Sequence, residues 1–246
     1  MKVLRMHPFV VNIIIGTFFA RLTSSMVMPF LAIYLTKEKG ISPVLTGAII
    51  GISSLIGVFT SFLGGYLSDR FGRKIILLMS LFMHSIVFIG FALSDSVIMF
   101  FVCSALNGAC RSFFEPSSRA LMSDFTEEKN KLLIFNFRYT AINVGVAVGP
   151  LLGLLLGSSS TTTPFYITSI MYFLYFLSLV LLFKRYPIQS EGKSSLPTTL
   201  TQALSVLKKD RIFSLSIIGI ICGVIGYSQF GSTLPQYLSS SPIFSG

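Results

Sequence analysis

Seven long apolar stretches constrain this chain more than any other feature. They run roughly over 9–35, 43–67, 75–93, 97–117, 134–157, 164–183 and 212–238. Each is long enough, or nearly so, to cross the hydrocarbon core of a bilayer. Inside lipid the backbone has no water to bond, so spans separated by such short connectors resolve into helices. The composition agrees: 52% of residues are apolar, 11% are charged and the mean hydropathy is +0.79, outside the range of soluble domains. The expected fold class is therefore all-α, a polytopic membrane helix bundle. In order, the chain makes six spans (1–183), a polar linker (184–211) and a seventh span (212–246).

The net charge of +10 could suggest a nucleic-acid partner, but the bases fall between the spans rather than on one soluble domain. One side of the expected membrane collects Lys2 and Arg5, then Arg70, Arg73 and Lys74, then Arg119, Lys129, Lys131 and Arg138. The linker adds Lys184, Arg185, Lys193, Lys208, Lys209 and Arg211, while the opposite side offers only Lys37 and Lys39. Basic loops face the cytoplasm, which orients the N-terminus and the linker inward and 157–163 outward. The charged start Met1–Arg5 precedes an apolar run too long for a signal peptide, so that run is read as the first span. In the linker, Leu200, Ala203, Leu204 and Leu207 keep helical spacing, compatible with a surface helix or with a plain flexible connector. Cys103, Cys110 and Cys222 all fall in apolar spans; the first two lie about 10 Å apart along one helix, too far for a disulfide.

Between the second and third spans stands Gly65-Tyr66-Leu67-Ser68-Asp69-Arg70-Phe71-Gly72-Arg73-Lys74. Its bases alone would serve as a topology signal. The glycine spacing and the acid among the bases ask for more, with Gly65 and Gly72 expected to let backbones approach closely. The decapeptide resembles the loop 2–3 signature of the major facilitator superfamily, G-x-L-a-D-r-x-G-r-k, at every fixed position. That resemblance implies a gating role for Gly65, Asp69, Arg70, Gly72, Arg73 and Lys74, in which Asp69 and the bases latch the cytoplasmic ends of two half-bundles. It also implies two six-helix repeats joined by a cytoplasmic linker, with 1–183 as the N-terminal bundle, 184–211 as the linker and 212–246 opening the second bundle. A weak internal echo fits: Met28-Pro29 before Tyr34-Leu35, and Leu234-Pro235 before Tyr237-Leu238. On this reading the resemblance covers nearly all of the chain but only about half of the expected protein.

Span five carries Gly145, Gly149, Pro150 and Gly153. Glycines four apart share a helix face and allow close packing, and the proline withholds a backbone hydrogen bond. The pattern also resembles the superfamily's antiporter motif g-x-x-x-G-P-x-x-G-G, with Leu154 in place of the last glycine. Ionisable groups inside spans are site hypotheses by default. Arg21, near the middle of span one beside Thr23, Ser24 and Ser25, is either a cavity residue or half of a buried ion pair. Arg111 and Glu115 are four apart on span four, where they can neutralise each other, or Glu115 can exchange protons or pair with the loop 2–3 bases. Superfamily members often place an arginine ahead of a Q-G pair in span four. Here Asn107-Gly108 occupies the pair and Ser104 the arginine position, a departure that Arg111 could offset. Asn143, with Asn136 and Arg138, completes the polar candidates.

No catalytic constellation appears: His7 and His84 stand isolated, no Ser/His/Asp set is organised and no phosphate-binding loop follows a strand. No enzyme activity, metal or cofactor is expected. The resemblance implies a secondary transporter of a bacterial plasma membrane, exchanging protons for drugs or small metabolites by alternating access. Its partners would be the lipid bilayer, a small-molecule substrate and protons, with no nucleic acid. The alternative is a truncated, transport-incompetent fragment, or a half that self-associates or recruits a partner half.

Overall fold

The computed structural model describes residues 6–157 and 162–187, and beyond them only Ile212, Leu215, Ser216 and Gly219. The chain divides into two compact units, Met1–Lys193 and Ser194–Gly246. In the second, the four described residues are helical, with the Ser216 hydroxyl donating to the Ile212 carbonyl at 2.9 Å. Most of the expected linker and seventh span, including Cys222 and the Leu234-Pro235 half of the echo, lies outside the described residues.

The first unit holds six long helices among the described residues: α1 (Pro8–Ile33), α2 (Pro43–Phe71), α3 (Arg73–Leu93), α4 (Val97–Asp124), α5 (Lys131–Gly157) and α6 (Thr163–Arg185). Each is long and apolar enough to cross a membrane. No strand occurs among the described residues. The starts are written locally. Pro8 follows the N-cap His7, whose ring accepts the Phe9 N–H, and Pro43 follows the N-cap Ser42, whose hydroxyl accepts the Leu45 N–H. A π-helical turn, Tyr34–Glu38, continues α1. Gly72, at φ +90°, separates α2 from α3 in a conformation that side-chain-bearing residues rarely adopt. The helices outrun several expected spans. α4 passes through Pro116 to Asp124 because the missing N–H frees only the Ser112 carbonyl, and polar residues past the apolar run can continue a helix into water.

Packing follows an internal repeat. α1 lies against α5 and α6, α4 lies against α2 and α3, and α3 meets α6. Exchanging α1–α3 with α4–α6 maps these contacts onto one another, as expected of two three-helix units inserted in opposite directions. Small residues permit the two tightest crossings. A Cβ on Gly149 would collide with Ser25 and the Leu22 carbonyl of α1, and one on Gly108 with the Ser53 carbonyl of α2. The core between α3, α4 and α6 is aromatic: Phe88, Phe91, Phe100 and Phe165 are buried in contact with His84, Tyr172 or one another. Phe59, Leu151 and Leu155 are exposed, apolar surface suited to lipid.

Side-chain contacts tie each end of this unit. At one end, Arg73 at the start of α3 pairs with Asp124 at the end of α4, and His7 stacks on Phe125 at 4.3 Å with Tyr186 at its edge. Burial lowers the His7 pKa below its usual 6.5. At the other end Lys39 pairs with Asp95, and that bond raises the Lys39 pKa.

Candidate functional site

Arg21 and Glu115 meet near the middle of the bundle. Arg21 sits about 20 Å from either end of α1, and Glu115 about 13 Å inside α4 from Asp124. Glu115 Oε1 accepts from Arg21, Oε2 accepts from Arg138 of α5 at 2.8 Å, and the Arg119 Nε lies 3.6 Å from Oε2. One carboxylate therefore joins α1, α4 and α5. Arg138 also donates to the Ser118 hydroxyl at 3.3 Å.

This arrangement replaces the pairing expected within span four. Glu115 turns to Arg21 and Arg138 of other helices and keeps a longer contact with Arg119 of its own, while Arg111 makes no ion pair or hydrogen bond among the described residues. The reason is geometric. Arg21 and Arg138 reach Glu115 with direct, charge-assisted hydrogen bonds, which outweigh an exposed i, i+4 pair worth a few tenths of a kcal/mol.

Two cavities adjoin the network. A small one of about 40 Å³ is lined by Arg21, Ser24, His84, Asn107, Arg111 and Tyr172 among others. A larger one of about 560 Å³ lies between α2 and α4, bounded by Ser53, Ser54, Gly57 and Ser61 across from Arg111 and Arg119. Arg111 and Glu115 border both, so this stretch of α4 is the partition between them. The small cavity has an ordered polar wall. The Ser24 and Tyr172 hydroxyls are 2.9 Å apart, and the His84 ring stacks on Tyr172 with centroids 4.5 Å apart. His84 Nδ1 faces the Ser80 carbonyl at 3.0 Å, so Nδ1 carries the proton. The Asn107 amide donates to the Ser53 hydroxyl at 3.4 Å. His84 is thus not isolated, as the sequence suggested. The rule that singled out Arg21, an ionisable group inside a span, applies equally to it. Arg138 and Ser24, which the sequence offered only as polar neighbours of Asn143 and Arg21, belong to this network, whereas Tyr172 carried no comparable signal.

The other sequence candidates lie apart from this network. Asn143 is exposed and donates to the Tyr139 carbonyl of its own helix at 2.9 Å. Gly145, Gly149 and Gly153 all face α1: a Cβ on Gly145 would lie 2.9 Å from the Phe18 carbonyl, and one on Gly153 2.7 Å from that of Met26. Ser25, on the same α1 face, donates to the Gly145 carbonyl at 3.1 Å, in the turn before Pro150.

The decapeptide spans the α2–α3 junction. Arg73 donates to the Ala120 carbonyl at 3.1 Å in addition to its pair with Asp124. Lys74 lies over the Phe183 ring at 5.5 Å, and Arg70 donates to the Tyr66 hydroxyl at 3.0 Å. These contacts stay within one bundle, and the Asp69 side chain lies outside the described residues. The close approach expected at Gly65 falls one residue earlier: a Cβ on Gly64 would strike the Ser112 carbonyl freed by Pro116, whereas one on Gly65 would meet open space. Gly72 likewise has open space around it, and what it supplies is its positive φ.

Comparison with known proteins fits this architecture. Residues 13–243 match the profile of the Major Facilitator Superfamily. The chain is 49% identical over 237 residues to the uncharacterized MFS-type transporter YqjV of Bacillus subtilis (strain 168), covering 96% of this chain and 58% of that protein. It is 33% identical over 245 residues to a Na(+), Li(+), K(+)/H(+) antiporter of Planococcus maritimus, covering 93% and 57%. Among solved structures, a peptide transporter POT in complex with sulfate superposes with a TM-score of 0.67 at 18% identity, over 97% of this chain and 50% of that one, a likeness of fold. The chain thus spans little more than half the length of these curated relatives.

Proposed function

This chain belongs to the Major Facilitator Superfamily of membrane transporters, and from that premise we propose that it forms the N-terminal half-bundle of a proton-coupled antiporter that exports a small molecule by alternating access. Glu115 carries the reading. It is the one carboxylate, among the described side chains, lying more than two turns inside a span, and arginines from α1 and α5 hold it there. A carboxylate so placed can bind a proton only by giving up arginines. Protonation of Glu115 would loosen α1 and α5 from α4, and this links proton uptake to helix packing beside the cavity. The activity is that of a protein that carries a second bundle, continuous with this one or supplied by a partner.

In the same reading the Gly65–Lys74 segment is the gate on the cytoplasmic side, with Asp69 and its neighbouring bases as the latch and Arg73 fixing α3 to α4. Gly145, Gly149, Pro150 and Gly153 set the α1–α5 crossing about which the helices tilt. The bilayer is a bacterial plasma membrane with the N-terminus inside, as the distribution of lysine and arginine supports. The antiporter of Planococcus maritimus supports exchange against protons.

Everted membrane vesicles with an acid interior test this. Sodium, potassium, tetraphenylphosphonium and benzenesulfonate are added in turn, and proton release is followed by recovery of a quenched pH-sensitive dye. The expected result is release by at least one of them, absent from vesicles lacking the protein and lost in Glu115→Gln at matched abundance. Release by none, or release untouched by Glu115→Gln, would overturn the proposal.

A further inference from the structure

Charge around the two cavities does not balance. Among the described residues, four guanidinium groups (Arg21, Arg111, Arg119, Arg138) adjoin a single carboxylate, Glu115. That carboxylate is already committed, one oxygen to Arg21 and the other to Arg138, with Arg119 close by. Arg111, one turn away on α4, forms no ion pair among the described residues. It stands about 20 Å from either end of that helix, where a guanidinium is costly unless it meets water or a counter-charge.

The neighbouring polar groups cannot supply that counter-charge. The Asn107 amide donates, and the Ser24 and Tyr172 hydroxyls are engaged with each other. His84 directs its one N–H at the Ser80 carbonyl. At the α2–α4 cavity the Ser112 hydroxyl is paired with that of Thr60 at 2.6 Å, and Ser61 donates to the Val58 carbonyl. The larger cavity, of about 560 Å³, falls within the usual size range of small-molecule sites, and Arg111 forms part of its wall.

We infer that Arg111 binds an oxyanion group, such as a carboxylate or sulfonate, on the transported small molecule, and that this half-cavity selects against cations. The planar guanidinium presents two parallel N–H donors to such a group, a bidentate geometry that a monovalent metal ion or an organic cation cannot use. A cation entering the site would meet the field of four arginines screened by one glutamate. Anion and proton then occupy neighbouring places on α4, the anion at Arg111 and the proton at Glu115. The inference rests on the transporter reading for its cargo, yet binding itself requires no gradient and is measured separately.

The test is equilibrium binding to the purified chain in lipid nanodiscs, with radiolabelled benzenesulfonate and tetraphenylphosphonium as probes of similar aromatic character and opposite charge. The parent should bind benzenesulfonate in preference to tetraphenylphosphonium. Arg111→Gln should weaken benzenesulfonate binding about tenfold to a hundredfold, the effect of a lost charge-assisted hydrogen-bond pair. Arg111→Lys, which keeps the charge but not the fork, should lie between parent and Arg111→Gln, and matched thermal melting will establish that both variants are folded. Undetectable benzenesulfonate binding, equal binding by folded Arg111→Gln, or preference for tetraphenylphosphonium would overturn the inference. An acid from another segment that already neutralises Arg111 would produce one of those results. Benzenesulfonate binding that depends on Arg111, without any proton exchange in vesicles, would retain the anion site and remove the antiport proposal.

Discussion

Glutamine at position 115 would keep the shape of the side chain and remove the charge that three arginines share. Their exposure decides which loss matters. Arg119 is 63% exposed, and an exposed ion pair contributes at most about 1 kcal/mol. Arg21 is 21% exposed and borders a cavity. Arg138 is 4% exposed, and its Nε has no hydrogen-bond partner. Without a carboxylate, its guanidinium would keep only the Ser118 hydroxyl and the glutamine carbonyl. Removing one member of a buried pair costs about 3–5 kcal/mol, because the other charge is left uncompensated. The retained carbonyl places Glu115→Gln near the lower bound, about 3 kcal/mol. In a domain of this size about 1 kcal/mol moves Tm by about 2–4 °C, so the expected fall is about 6–12 °C. A thiol-reactive fluorophore can follow the melting, since Cys103 and Cys110 are only 2% and 5% exposed and become reactive as the bundle opens. A Cys222→Ser background removes the third thiol. Adding Arg138→Leu to Glu115→Gln should restore more than half of the loss, because an apolar side chain replaces the stranded charge. The reasoning fails if Glu115→Gln melts within about 2 °C of the parent, or if the double variant is no more stable than the single one.

The crossing of α5 on α1 predicts that Gly149→Val lowers Tm or prevents insertion, by about 1–3 kcal/mol of overpacking, while Gly65→Ala, facing open space, leaves Tm unchanged or slightly higher in the same assay. In a cysteine-free protein, Ser96→Cys should react with an impermeant maleimide from outside intact cells and Lys129→Cys only after permeabilisation; labelling of Lys129→Cys from outside would reverse the orientation. Asp69→Asn in a transport-competent protein should abolish proton exchange with membrane abundance unchanged, and undiminished exchange would reduce the loop to a topology signal. Burial lowers the His7 pKa, so as pH falls through about 6.5 the unfolded chain gains a proton more readily than the folded chain. Stability should therefore fall as pH drops from 7.5 to 5.5, and His7→Phe should flatten that dependence in paired melting curves.

What was legible in the sequence depended on how local its cause was. Helix existence comes from hydropathy, and the starts come from local signals, capping at Pro8 and Pro43 and a first-turn proline after Thr163, all of which the chain states directly. The glycine face of α5 was equally plain, since a four-residue spacing determines which side of a helix can be approached, though not which neighbour fills it. Partner choice was not legible. Arg111 and Glu115 are adjacent on one helix face by spacing, yet Glu115 bonds to Arg21 and Arg138, 94 and 23 residues away. Spacing along a helix ranks only intrahelical pairs, while the bundle brings stronger partners from α1 and α5. Gly64 in place of Gly65 shows the same limit at finer scale: one residue turns a helix by about 100°, and only the position of α4 decides which glycine faces the Ser112 carbonyl. His84 escaped notice because a lone histidine has no sequence neighbour to form a motif with. Its surroundings, Tyr172 from α6, Arg21 from α1 and Arg111 from α4, gather only after three-helix units fold against each other. A site assembled from α1, α3, α4, α5 and α6 is therefore foreshadowed by its charges, which are costly in lipid wherever they stand, and not by its geometry. The surplus positive charge on α4 is the part of that foreshadowing which packing within the described bundle leaves unneutralised.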